Sequence, residues 1–289
     1  MKVFLLLFFA LLSINLHAQE MTIQGTLEWE RMEFSAALTL DLQKAGIKLP
    51  AGRSHAEALL EDEFPELIKP FIFEIQADSS STVADLIDRG ELSPAAFMGM
   101  IHSFPPFLSP DLSVIRARYL VNLTGISAEA IRHSRAQRIT IPLIPTPVQN
   151  YSGIIIIADE SLPVHGRSSS AFAIPCLFPK IWDSEMNLIF ERNTMDPQLG
   201  RELGLVRYAS RENIMRAVPS GMDEDLIKRV GETPLRIMAQ GIFGAVPTDL
   251  IIDKEDALLI LSSENNRRLL MEGRIAIVLD KKELKKTIP

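Results

Sequence analysis

Cysteine is almost absent from this chain. Of its 289 residues only Cys176 carries a thiol, so neither an intrachain disulfide nor a lipid anchor on a processed N-terminal cysteine is expected. Its neighbours Ile174, Pro175, Leu177 and Phe178 predict a buried, inert thiol. Metal-site spacing is missing as well. His55, His102, His133 and His165 each stand away from any second His or Cys, so no metal is expected. A phosphate-cradling loop is lacking too. Gly241-Ile242-Phe243-Gly244 has no Lys-Ser/Thr ending and is followed by Pro247-Thr248-Asp249, which predicts a turn between strands and implies no cofactor. Positive charge is in short supply: 30 basic residues face 37 acidic ones, for a net charge of −7. Such a chain gains nothing from neutralising phosphates, so nucleic acid is not an expected partner.

One apolar run stands out. Lys2 precedes Val3 to Leu12, an unbroken stretch of Leu, Phe, Val and Ala, and Ser13, Asn15, His17 and Ala18 follow. Charge, apolar core and small residue in that order predict a cleavable secretory signal over residues 1–18, cut after Ala18. The run is shorter than the roughly 20 residues a membrane-spanning helix needs, and no later segment reaches that length, so no transmembrane helix is expected after cleavage. Cleavage removes Lys2 and takes the net charge to about −8. The expected location is periplasmic or secreted.

The rest of the chain mixes strand and helix signals. Met21 to Leu27 and Phe34 to Leu42 predict strands. Ser54 and Glu57 predict a capping box for a helix whose buried face is Leu60, Phe64, Leu67, Ile68 and Phe71. Pro65 and Pro70 should kink or divide it. Asp78 and the Ser79–Thr82 run predict the cap of a short helix through Asp88, stopped by Gly90, and Ser93-Pro94 begins another. Ile115 to Leu123 alternates as a half-buried strand. Pro142, Pro145 and Pro147 exclude a central strand and mark a linker.

Beyond the linker, Gly153 to Ile157 predicts a fully buried strand, with further strands at Leu235 to Gly241, Leu250 to Ile252 and Arg274 to Leu279. Asp253 should cap a helix to Leu261, and Ser263 another through Met271. Lys281 to Lys286 reads as a solvated charged tail. The expected fold class is α+β, two mixed α/β halves with small sheets packed by short helices. The domains would be a signal peptide (1–18), an N-terminal domain (19–140), a Pro-rich linker (141–150) and a C-terminal domain (151–289).

Candidate chemistry is thin. His165 near Ser168, Ser169 and Ser170 lacks a nucleophile-elbow pattern and predicts a polar loop between strands. Asp159 and Glu160 end a buried strand, where α/β proteins place functional groups. With Asp249 and Asp280 they could form a carboxylate cluster for acid/base work, while Asp253 and Asp256 are explained by capping and the helix dipole. Asn122-Leu123-Thr124 matches a glycosylation sequon but falls in the expected strand.

Two stretches carry a resemblance. Ala56-Glu57-Ala58-Leu59-Leu60, Asp78 to Asp85 and the strand Ser113 to Leu123 resemble the Lpp-twenty lipoprotein family, which includes FlgP-type flagellar proteins. Tyr151 to Asp159, Ile181-Trp182-Asp183, Thr248 to Ile252, Asp256-Ala257 and Arg274 to Asp280 are similar to a C-terminal module of some exported relatives. The resemblance implies an α+β envelope protein without catalytic residues, in some members built into rings around the flagellar motor. The chain departs from that family in lacking the lipid-bearing cysteine. The expected function is therefore a non-enzymatic exported scaffold or interaction protein, with protein partners or self-association. The alternatives are a periplasmic hydrolase-type enzyme using Asp159, Asp249 and Asp280, and a small-ligand module with a large cavity near Pro142 to Pro147.

Overall fold

A computed structural model describes residues 21–215 and 222–288. The signal peptide expected over residues 1–18, with its cleavage after Ala18, lies outside the described residues. The fold class is α+β.

The first half is a sheet with one face covered. Strands β1 (Met21–Glu28), β2 (Glu33–Asp41), β5 (Ile101–Leu108) and β6 (Val114–Asn122) pair antiparallel. Strict alternation buries Phe34, Ala36, Leu38 and Leu40 of β2 and Ile115, Ala117, Tyr119 and Val121 of β6 on one face. Helix α1 (Arg53–Phe73) lies on that face with Ala56, Leu60, Phe64, Ile68 and Ile72 buried at four-residue spacing. Phe64 stacks on Tyr119 with ring centroids 3.5 Å apart, and the Tyr119 hydroxyl donates to the Leu60 carbonyl at 3.0 Å.

Two expectations about this helix are corrected. It is not divided at Pro65 and Pro70 but continues through both. Each interior proline costs about 3 kcal/mol, but the row of buried side chains continues past both, and each is worth about 1.5–3 kcal/mol. The Ser54/Glu57 capping box does not form either. Gly52 takes the N-cap position in place of Ser54, so the helix begins two residues earlier, and Glu57 accepts instead from Arg53 Nε at 2.8 Å.

The hairpin of β3 (Gln76–Asp78) and β4 (Ser81–Thr82) leads into α2 (Val83–Asp88), where Thr82 and Asp85 form a reciprocal cap. Helix α3 (Pro94–Met98) has Pro94 in its first turn. Strand β5 was not legible in advance because it contains Pro105 and Pro106. They fit because β5 is an edge strand and its ladder is irregular between Phe104 and Phe107. Asn122 ends strand β6, as expected, and also caps α4 (Leu123–Ala130) by accepting from the Thr124 amide at 2.8 Å. Residues 131–153 form no helix or strand.

The second half has a parallel sheet in the order β12-β16-β7-β13. Its strands are β7 (Ile154–Ala158), β12 (Arg207–Ala209), β13 (Leu235–Met238) and β16 (Ile275–Leu279). The near-continuous apolar runs of β7 and β16 are buried, as central parallel strands require. A mixed sheet follows the order β11-β10-β15-β14, from β10 (Ile181–Asp183), β11 (Leu188–Phe190), β14 (Gly241–Phe243) and β15 (Asp249–Ile252). Gly241 to Phe243 is therefore a strand where a turn was expected, and the strand from Leu235 stops at Met238. The chain switches sheets there because Gln240 already donates to Ile251 at 2.8 Å. Helices α8 (Lys254–Leu261) and α9 (Glu264–Met271) follow as expected, although the Ser263 side chain makes no cap bond.

Residues 281–286 are no tail. Lys281–Leu284 is a short helix, α10, and Lys285–Ile288 is β17, which pairs antiparallel with Gly25–Glu28 of β1. Leu284 and Ile288 are buried, so apolar anchors on either side of the lysines pin the segment. The chain end thus completes the first sheet, in the order β17-β1-β2-β6-β5. One apolar core contains residues from Met21 to Ile288.

Candidate functional site

Parallel strands place the residues that follow them side by side. Leu279 of β16 pairs with Ala158 of β7, so Asp280 and Asp159 leave the sheet as neighbours. Val278 pairs with Ala209 of β12, which brings Ser210 and Arg211 to the same edge. This is the carboxyl end of a parallel sheet, where such folds bind ligands. The crevice is small, about 160 Å³, and is lined by Asp159, Ser210, Arg211, Glu212, Asp280 and Lys281.

Each of these groups is already engaged. Arg211 grips Asp159 through two nitrogens, Nε to Oδ2 and Nη2 to Oδ1, the latter at 2.7 Å. The Arg211 hydrogen bonds hold the Asp159 carboxyl below its ordinary value. Asp280 caps α10, accepting from the Lys282 amide at 2.8 Å. Lys281 pairs with Glu212 at 3.0 Å. The turn between β1 and β2 closes in from the other half. Glu30 accepts from the Ser210 amide at 3.1 Å, and Trp29 meets Tyr208 edge-on at 5.7 Å.

Asp249 does not join this crevice. It sits on β15 in the other sheet and is 0% exposed. Its Oδ2 accepts from Ser79 Oγ (3.1 Å) and Trp182 Nε1 (3.3 Å), and its Oδ1 from Thr248 Oγ1 (3.2 Å) and the Lys180 amide (3.4 Å). Burial pushes its carboxyl above the ordinary value, outweighing the Trp182 and Ser79 hydrogen bonds and the Lys180 charge that oppose it. Ser79 comes from the β3–β4 turn of the first half. Backbone bonds from Leu177 to Gln76 (3.1 Å), Phe178 to Ala77 (2.8 Å) and Val246 to Ser79 (3.0 Å) run along the same seam. Asp249 joins the two halves. The expected cluster of Asp159, Asp249 and Asp280 is thus split, with two members together and the third apart.

The other candidates stand where local chemistry put them. Asp253 caps α8 through the Glu255 amide at 2.9 Å, and hydrogen bonds from Glu255 lower its carboxyl. Burial, with the Asp253 charge second, raises that of Asp256. His165 lies in the loop between β8 (Leu162–Pro163) and β9 (Ser170–Ala171), its ring edge-on to Phe243 at 5.9 Å. Among the described residues, no three His, Cys, Asp or Glu side chains converge as a metal site. Cys176 is fully buried, and burial pushes its thiol up to about 12. The Tyr208 hydroxyl donates to its carbonyl (2.8 Å) and accepts from its amide (3.0 Å).

A larger cavity of about 830 Å³ lies between residues 137–143, the β10–β11 turn and α8. Ile139, Pro142, Leu143, Leu188, Leu258 and Leu261 form its apolar lining. Lys254 and Glu185, also in the lining, pair at 2.6 Å. Sequence reasoning missed Arg211, Ser79 and Trp29 as site residues. The Ser210 to Asn213 capping pair was the one local signal near Arg211.

Residues 20–129 match the family model of the N-terminal domain of Treponema pallidum Tp0624, and residues 153–281 match that of its second domain. The chain is thus similar to two successive domains of that protein, in the same order. The Pro-rich segment falls between the two matches. No curated protein matches the chain.

Proposed function

We propose that this chain is a non-enzymatic, exported scaffold or interaction protein of the cell envelope, released to the periplasm by removal of residues 1–18. The observation that carries the reading is where the carboxylates go. Asp159 is neutralised by Arg211, Asp280 is spent on a helix cap, and Asp249 is enclosed at a seam between halves. Among these three, no two are left together as a free acid and a free base. Association with flagellar or other envelope assemblies rests on the resemblance to Lpp-twenty and FlgP-type proteins. No helix among the described residues is long and apolar enough to cross a membrane, which fits a protein held in place by protein contacts.

Proximity labelling of the full chain in its native cells, with fractionation, tests this. Envelope proteins should be labelled reproducibly, and D159N/D280N should leave the labelling pattern unchanged. A cytoplasmic location, or a hydrolytic activity lost in D159N, would overturn it.

The 830 Å³ cavity beside Pro142 and Leu143 favours a second reading, a small-ligand module, since its volume falls in the range of ligand pockets. Ligand-induced thermal shifts abolished by Leu258→Trp would support that reading, and the absence of any shift across an amphiphile panel would remove it.

A further inference from the structure

The face of the first sheet opposite α1 carries a patterned surface. Cross-strand register builds it in rows. Thr287, Thr26, Ser35, Leu120 and His102 form one row, and Gln24, Ala37, Arg118 and Phe104 the next. Thr22, Thr39, Arg116 and Phe107 form the third. No acid lies in these three rows. Small side chains on β1 and β2 leave a shallow groove of about 640 Å³, walled on one side by Phe104 and Arg118.

Phe104 and Phe107 are 38% and 48% exposed. Each lies under a guanidinium, with Arg118 5.6 Å and Arg116 5.8 Å from the ring centroids. Arg116 donates to Thr39 at 3.1 Å, but neither arginine has a carboxylate partner among the described residues. In a chain of net charge −7, two exposed and unpaired arginines on one open sheet face call for an anionic partner.

The opposite side of the same layer supplies one. The solvent side of α1 carries Glu61, Asp62, Glu63 and Glu66, three of them exposed. Glu66 pairs with Lys69, whereas Glu61, Asp62 and Glu63 make no ion pair among the described residues. The lengths match: α1, at 21 residues, spans about 32 Å, and β2, at nine, about 30 Å.

We propose that the outer face of the β17-β1-β2-β6-β5 sheet docks the acidic side of α1 from a second copy of this chain. The inference deepens the scaffold reading and rests on it. The two surfaces differ and lie on opposite sides of one layer, so the contact is heterologous and can repeat from copy to copy.

Sedimentation of the chain lacking residues 1–18 tests this. At low salt it should associate at about 100 µM, and the association should weaken at least tenfold at high salt. R116Q/R118Q and E61Q/D62Q should each be monomeric with unchanged thermal unfolding. Mixed together, they should form a one-to-one pair and nothing larger, because each keeps one complementary surface. A monomeric wild type, association insensitive to either variant, or a mixture that stays monomeric would overturn the proposal. A monomeric chain that still labels envelope neighbours would overturn this inference and leave the scaffold reading standing.

Discussion

Replacing Asp249 tests whether one buried carboxylate joins the two halves. In Asp249→Ala four donors lose their acceptor. The Ser79 and Thr248 hydroxyls can turn to other acceptors, but Trp182 Nε1 and the Lys180 amide are fixed. At about 1–3 kcal/mol for each stranded donor, and with both bonds long at 3.3 and 3.4 Å, the expected loss is about 2–4 kcal/mol. That is a large share of the roughly 5–15 kcal/mol available to a domain.

Asp249→Asn preserves shape and separates charge from hydrogen bonding. Because burial raises the folded-state carboxyl above 3.8, the folded state binds more protons than the unfolded state between that value and the raised one. Wild-type stability from this group is fully present below about 3.8 and falls as pH rises through the folded value. The asparagine chain has no such loss, so its deficit against wild type should shrink as pH rises. Urea unfolding followed by the fluorescence of Trp29 and Trp182 measures both effects. A deficit that widens with pH, or an alanine loss under about 0.5 kcal/mol, would refute the reasoning.

Further outcomes follow from other contacts. Phe64→Ala should cost about 3–5 kcal/mol in chemical denaturation, since it removes a buried ring stacked on Tyr119. Gly153→Ala should cost about 2–3 kcal/mol in the same assay, because its Cβ would stand 2.3 Å from the Val230 carbonyl oxygen. Ending the chain at Leu284 removes buried Ile288 and uncovers the edge of β1. Thermal unfolding should show a loss of about 2 kcal/mol or more. Asp159→Asn should cost no more than about 1 kcal/mol at neutral pH, as Arg211 is half exposed. The folded-state carboxyl of Asp159 is lowered, so its contribution is present above about 3.8 and lost as pH falls through the lowered value. The two proteins should therefore converge in stability in acid.

Local pattern alone determined much of this molecule. Alternation in Phe34 to Leu40 and in Ile115 to Val121, the apolar runs of β7 and β16, and the caps at Thr82 and Asp253 are short-range features. The residues that make them are neighbours in the chain, and the burial or hydrogen bond they require is written into their spacing. The buried, inert state of Cys176 was legible for the same reason.

Tertiary structure decided what depends on distant partners. Pro65 and Pro70 sit inside a helix because five side chains dock on a sheet that the sequence around them does not reveal. Pro105 and Pro106 are tolerated because β5 lies at an edge. Lys281 to Lys286 became a helix and a strand because β1, more than 250 residues earlier, offered a free edge. The carboxylates divided on the same principle. Asp159 and Asp280 meet because β7 and β16 are neighbours in register, and Asp249 is held at the seam by Ser79, 170 positions away. Strand order and the docking of the two halves are long-range pairings, and periodicity along the chain carries no information about which edges will meet.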